Sequence, residues 1–235
     1  MTWIVTGASR GLGRHLAQQL AQRGHAVLAT ARDAARLAAL AAENPAHITP
    51  LALDLADAAA IAPTMARALA ALPRIDGLVN NAGFGAYKPF LDHTEAESLA
   101  LVQVNFTAAV QLCHAVLPRL LQQRSGHIVH IASDLARRPL PNMAVYAAAK
   151  HALAGFSHSL LREVKAHGVK VSLVNPGIID TDFGAADGQP LEGTRGADWS
   201  LRPAALAALI VQMVEQPGSM LVDELTVHPL GQAEF

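Results

Sequence analysis

Cysteine is nearly absent: Cys113 stands alone in 235 residues, so no internal disulfide is available, and the chain fits a reducing cytoplasmic setting. Charge is also scarce. Charged residues make up 16% of the chain, the net charge is −1, and the pI is near 6.8. Lys and Arg are scattered, so nucleic acid finds no basic field and is not an expected partner. The N-terminus lacks a charged region, apolar stretch and small-residue cleavage site, so export is not expected. Uninterrupted apolar runs of membrane-spanning length are missing too. Pro203 to Val214 is too short, and Leu99 to Leu121 is broken by Gln103, Asn105, Gln111 and His114, which reads as buried helices of a soluble protein without a membrane partner. The eleven histidines form no HExxH pattern or Cys/His cluster, so no metal is expected. No repeat, low-complexity tail or Pro/Ser-rich linker divides the chain, and residues 1–235 read as one domain.

What is present is a regular alternation. Apolar runs of strand length lie at Trp3 to Val5, Ala26 to Thr30, Ile48 to Leu53, Gly77 to Asn80, His127 to Ala132, Val169 to Asn175 and Leu225 to Val227. Helical stretches fall between them: Leu12 to Arg23, Ala34 to Ala42, Ala58 to Leu72, Glu95 to Gln123, Ala144 to His167 and Pro203 to Gln216. This order predicts an α/β Rossmann fold, a doubly wound parallel sheet of about seven strands with helices on both faces and ligands at the carboxyl ends of the strands. Asp182 to Ser200 has no clear period and contains four glycines. It is read as a substrate-binding loop closing over the site, with a surface insertion as the alternative.

The octad Thr6 to Gly13, TGASRGLG, follows the first apolar run and opens a helix, the context in which a dinucleotide pyrophosphate rests on a helix N-terminus. Gly7 permits the tight turn, Gly11 lets backbone approach phosphate, and Gly13 lets the helix pack on the sheet; Ser9, Arg10 and Leu12 complete the loop. About 20 residues on, where the adenosine ribose belongs, the chain reads Thr30-Ala31-Arg32-Asp33. A cation there suits the 2'-phosphate of NADP(H), with Arg32 nearest and Arg10 approaching from the loop, whereas NAD(H) calls for a carboxylate. Asp33 is better explained as the cap of the next helix, and NADPH is preferred over NADH. Asp54, followed by Leu55, is placed to accept from the adenine amino group or to cap the following helix.

Tyr146 and Lys150 lie four residues apart on one helical face, where the ammonium is expected to make the phenol more acidic. Ser133 lies thirteen residues upstream. A hydride carrier beside such a proton donor is the outline of a carbonyl reductase.

TGASRGLG, Asn80-Asn81-Ala82-Gly83, Asn105, Ser133, Tyr146-Ala-Ala-Ala-Lys150 and Asn175-Pro176-Gly177 together resemble the short-chain dehydrogenase/reductase family, over essentially the whole chain. The resemblance implies that Tyr146 is the general acid toward a carbonyl, or the base in the alcohol direction. Lys150 would hold the nicotinamide ribose and lower the Tyr146 pKa, Ser133 would hydrogen-bond the substrate oxygen, and Asn105 would hold a water linking Lys150 to solvent. Asn81, Ala82 and Gly83 would shape a strand end against the cofactor. Pro176 and Gly177 would end the sixth strand, Ile179 would offer backbone to the nicotinamide carboxamide, and Thr181 would lie near the phosphates. The helices carrying Asn105 and Tyr146 imply a homodimer or homotetramer.

One departure concerns the pocket. Many relatives have Gly where this chain has Ala136, followed by Arg137 and Arg138, which are either exposed surface or an attractor for an anionic substrate. Phe84, Tyr87, Leu140, Met143, Val145 and Phe183 are candidate linings of a partly apolar site. The leading expectation is NADPH-dependent reduction of a ketone or aldehyde. Its alternatives are an NAD-linked alcohol dehydrogenase using the same residues and a dinucleotide-binding sensor without turnover.

Overall fold

The computed structural model describes residues 1–183 and 198–232. Its strands are β1 (Thr2–Thr6), β2 (Ala26–Ala31), β3 (Ile48–Ala52), β4 (Gly77–Asn80), β5 (Gly126–Ile131), β6 (Val169–Pro176) and β7 (Glu224–Val227). The helices are α1 (Gly11–Gln22), α2 (Ala34–Glu43), α3 (Ala58–Ala70), α4 (Glu95–Val102), α5 (Ala108–Gln123), α6 (Ala144–Val164) and α7 (Pro203–Val214). Among the described residues the strands form one sheet in the order β3-β2-β1-β4-β5-β6-β7, with every neighbouring pair parallel.

Alternation along each strand sorts the core into two layers. Trp3, Val5, Val27, Ala29, Val129 and Val174 face α1, α2 and α7. Ile4, Leu28, Leu78, Ile128 and Val171 face α3, α5 and α6. Burial on both faces explains why these strands read as continuous apolar runs. The winding reverses at β1, which pairs with β2 on one side and β4 on the other, and such a switch point opens a crevice at the carboxyl ends of the strands.

The stretch from Glu95 to Gln123, expected as one helix, is interrupted by a π-turn at Gln103–Thr107. The cause is Asn105, whose Nδ2 donates to the carbonyl of Leu101 at 3.0 Å. In an α-helix that carbonyl belongs to the backbone N–H of residue 105, so the side chain displaces the ladder by one residue. By length and composition this stretch is apolar enough to cross a membrane, with mean hydropathy 1.5. In the fold, Ala108, Leu112, Cys113, Val116 and Leu120 are buried along it.

Asp33 caps α2, accepting from Arg36 N at 3.0 Å, as expected. Asp57, rather than Asp54, caps α3 through Ala59 N and Ala60 N.

Candidate functional site

The glycine loop is built by close approach. Gly7 and Gly11 have φ of +66° and +55°, a region open to glycine at little cost. A Cβ on Gly13 would lie 2.4 Å from Gly7 O, so α1 rests directly on the loop. Ala8 N donates to Thr30 O at 3.1 Å, bringing the loop against the end of β2 two residues before Arg32. Arg10, the N-cap of α1, offers no side-chain cap to the first turn, which leaves helix N–H groups directed at an incoming anion. Arg10 and Arg32 are exposed, Ser9 is half-buried, and Leu12 is buried.

Thr6, the first residue of the octad, ties this loop to β4. Its hydroxyl accepts from Asn81 N and Ala82 N, both at 2.9 Å, and Asn81 Nδ2 donates to Thr6 O at 2.9 Å. Asn81, Ala82 and Gly83 are thereby fixed beside Gly7. A Cβ on Gly11 would lie 3.2 Å from Thr181 Cγ2, so Thr181 closes the crevice from the β6 side. Pro176 ends β6, Gly177 N donates to Val227 O at 2.8 Å, and Ile179 bridges to Leu201. This cradle of glycine, helix N-terminus and small residues fits a dinucleotide pyrophosphate. Asp54 is exposed and accepts from Ala56 N at 3.0 Å, closing a local turn that leads to buried Leu55.

Beyond the cradle, β5 delivers Ser133 and α6 delivers Tyr146 and Lys150. Tyr146 and Lys150 are 5% and 3% exposed, so two titratable groups sit almost wholly out of water. Lys150 Nζ donates to Ile131 O at 3.0 Å and lies 5.6 Å from the centroid of the Tyr146 ring. Burial pushes the Tyr146 phenol well above its ordinary value, and a hydrogen bond from Ser133 pulls it part of the way back. Burial holds Lys150 down to about 8. The expectation that Lys150 makes Tyr146 more acidic is therefore outweighed by desolvation, because the same burial that brings the pair together removes the water that would stabilise a phenolate.

Asn105 is 2% exposed; its Nδ2 also donates to Phe84 O at 2.8 Å, and its Oδ1 has no hydrogen-bond partner. That oxygen faces Gly83 and Lys150. The four residues expected to carry chemistry thus converge beside the cradle.

Phe183 lies over this group, its ring centroid 5.5 Å from that of Tyr146. Leu140 and Met143 pack on Leu135, Tyr146 and Ala147. Arg137 does not face the pocket as a free cation: its Nη2 pairs with Glu224 at 2.8 Å. Its charge is partly balanced there by a residue far along the chain, which speaks against the anion-attractor reading for Arg137. Of the expected substrate loop, residues 184–197 lie outside the described residues. The ends are pinned beside the site by Asp180 N to Leu201 O at 2.9 Å and Leu201 N to Ile178 O at 2.8 Å.

Comparison with known proteins is consistent with this geometry. The family model for short chain dehydrogenases matches residues 1–191. Oxidoreductase BOA17 of Botryotinia fuckeliana is 33% identical, over 98% of this chain and 92% of its own length. A metagenomic short-chain oxidoreductase solved with NADP superposes with a TM-score of 0.84 at 33% identity, covering 97% of this chain and 96% of the other. A serine dehydrogenase solved in a closed form with NADP+ gives a TM-score of 0.90 at 28% identity, covering 100% and 97%.

Proposed function

This chain belongs to the short-chain dehydrogenase family, and from that premise we propose that it reduces a ketone or aldehyde to an alcohol with NADPH, Tyr146 supplying the proton. The observation that carries the reading is the convergence of half-buried Ser133 with buried Tyr146 and Lys150 beside the glycine cradle. Gly7, Ser9, Gly11, Leu12, Gly13, Asn81, Ala82, Gly83 and Thr181 would hold the dinucleotide, which when bound supplies a hydride.

The raised pKa suits Tyr146 to the acid's role. Its phenol keeps the proton at neutral pH and releases it to the substrate oxygen as negative charge develops there. Ser133 donates to that same oxygen and steadies the charge. Lys150 faces the ring with an ammonium that favours the phenolate left behind, and the unpartnered Oδ1 of Asn105 offers a place for a water that returns the proton.

Preference for NADPH rests on Arg32, with Arg10 at the loop; the two solved relatives named above carry NADP or NADP+. The lone, buried Cys113 fits a reducing cytoplasm, and α5 and α6 are the faces through which a homodimer or homotetramer would form.

The test is fluorescence titration with NADPH and NADH, followed by a carbonyl panel with the tighter cofactor. Tighter NADPH binding, with turnover abolished by Tyr146→Phe, is the expected result. Replacing Arg32 with Asp should weaken NADPH binding about ten- to hundredfold, the worth of one charge-assisted contact, and shift preference toward NADH. Tighter NADH binding by the unaltered protein would favour the NAD-linked alcohol dehydrogenase. Tight binding with no turnover across the panel would favour the sensor.

A further inference from the structure

Asp134 follows Ser133 directly and is 4% exposed. Its Oδ1 lies 3.0 Å from Nε2 of His228, and its Oδ2 has no hydrogen-bond partner. A buried carboxylate with one partner depends heavily on that partner, since removing it leaves an uncompensated charge. Asp134 opens the short 3-10 turn Asp134–Ala136, whose N-cap is Ser133; the serine hydroxyl accepts from Leu135 N at 3.2 Å. The orientation of Ser133 toward Tyr146 is therefore coupled to this turn.

The turn is held at its far end as well, and by the same terminal segment. Arg137 pairs with Glu224, whose Oε1 also accepts from Asn175 Nδ2 at 2.6 Å. His158, on the helix that carries Tyr146 and Lys150, lies 3.4 Å from the other carboxylate oxygen. Gln232 Oε1 accepts from Ile178 N at 2.9 Å, one residue before Ile179. Residues 224–232 thus brace the serine turn, the catalytic helix and the turn after β6 without reaching the reacting atoms.

We propose that His228 is a positioning residue, acting through Asp134 to hold the Ser133 hydroxyl against the Tyr146 phenol. This rests on the reductase reading above. Without the imidazole, Asp134 rotates toward water and carries its neighbour with it; a displacement of about 1 Å at a catalytic group costs roughly a hundredfold in rate. The His228 side chain is 35% exposed, so its replacement by Leu or Gln opens no sealed cavity in the core.

Three variants separate positioning from bulk structure. His228→Leu removes the donor, His228→Gln keeps an N–H donor, and Asp134→Asn combined with His228→Leu removes the charge that needs one. His228→Leu is expected to lower kcat about ten- to a hundredfold while the NADPH Kd moves by less than about twofold. His228→Gln should keep most of the rate, and the double variant should recover to within about threefold of the unaltered enzyme. Tyr146→Phe, assayed in parallel, reports on the reductase reading itself: if it too turns over normally, that reading has failed. If Tyr146→Phe is inactive and His228→Leu turns over normally, the positioning role is overturned. It is equally overturned if the His228→Leu loss persists in the double variant, or is matched by loss of NADPH affinity and thermal stability.

Discussion

Across the space left by Gly83, the unpartnered amide oxygen of Asn105 faces the ammonium of Lys150. A Cβ on Gly83 would lie 2.6 Å from Asn105 Oδ1 and 3.6 Å from Lys150 Nζ. A buried acceptor with no protein donor beside a buried cation is a site for a bridging water, and glycine is the residue that leaves room for one.

Gly83→Ala should close that space. The methyl group is too near the amide for either to stay in place, so a loss of about 1–3 kcal/mol of stability is expected from overpacking. Reductase kcat should fall by at least about tenfold if proton return passes this way. Steady-state kinetics and urea unfolding of the variant measure the two effects. A stability loss with unchanged kcat would place the proton path elsewhere.

The residues that converge beside the cradle were readable from sequence because their types and spacings are restrictive: TGASRGLG in its strand-to-helix setting, Ser133, and the Tyr146–Lys150 pair. Asp33 was readable as a cap because its competitor, a ribose contact, required it to abandon a local bond. The π-turn was not readable, since it depends on Asn105 taking the Leu101 carbonyl, a competition that propensity does not describe. Nor was the direction of the Tyr146 shift. Helical spacing gives the neighbour but not the depth of burial, and burial dominates. The partners of Asp134 and Arg137 arrive from β7 and beyond, so no local pattern announces them.

Lys150 should impose an alkaline limit on the reaction. Its value near 8 means that the free enzyme loses this charge as pH rises through 8, and kcat/KM for reduction should decline there. Lys150→Arg, which stays charged, should lack that limb even at a lower plateau. Stability runs the other way. Between about 8 and the ordinary 10.5 the unfolded chain binds the proton that the folded chain has lost, so Lys150 contributes a rise of up to about 1.4 kcal/mol per pH unit. Above the ordinary 10.0 of tyrosine the sign reverses for Tyr146, whose folded phenol keeps a proton that the unfolded one releases. Urea unfolding of the unaltered protein and Lys150→Met at about pH 7.5 and 9.5 should show the former gaining on the latter.

His130 should set part of the acid limit of the fold. It is fully buried, Asn80 Nδ2 lies 3.2 Å from its Nδ1, and Cys113 Sγ lies 3.9 Å from its Nε2. Burial, with the Lys150 charge in support, holds it down to about 3. Between 6.5 and about 3 the unfolded imidazole is protonated and the folded one is not, so stability is lost as pH falls through that window. His130→Gln should be less stable at neutral pH by about 1–3 kcal/mol through lost packing. Its further loss from pH 7 to 5 should be smaller than that of the unaltered protein, by up to about 1.4 kcal/mol per unit below 6.5. Parallel acid slopes in urea titrations would remove His130 from the account.

Phe183 should select substrates by apolar contact. Its ring lies at 60° to that of Tyr146, and a Cβ on Gly85 would stand 3.1 Å from its Cε1 and 3.6 Å from Met143 Cε, so the aromatic ring occupies the space that glycine concedes. With Leu140 and Met143 packed beside Tyr146, and Arg137 paired with Glu224, this wall should favour a neutral carbonyl bearing an apolar group over an anionic one. Phe183→Ala should raise KM for aromatic ketones by about tenfold, the worth of one aromatic contact with its buried area, while leaving small aldehydes nearly unchanged. Its kcat should change little, because the ring touches Tyr146 without hydrogen-bonding its hydroxyl. Equal KM values for large and small substrates in both proteins would show that Phe183 does not line the bound substrate, and a carboxylate-bearing ketone as the best substrate would overturn the apolar reading of this wall.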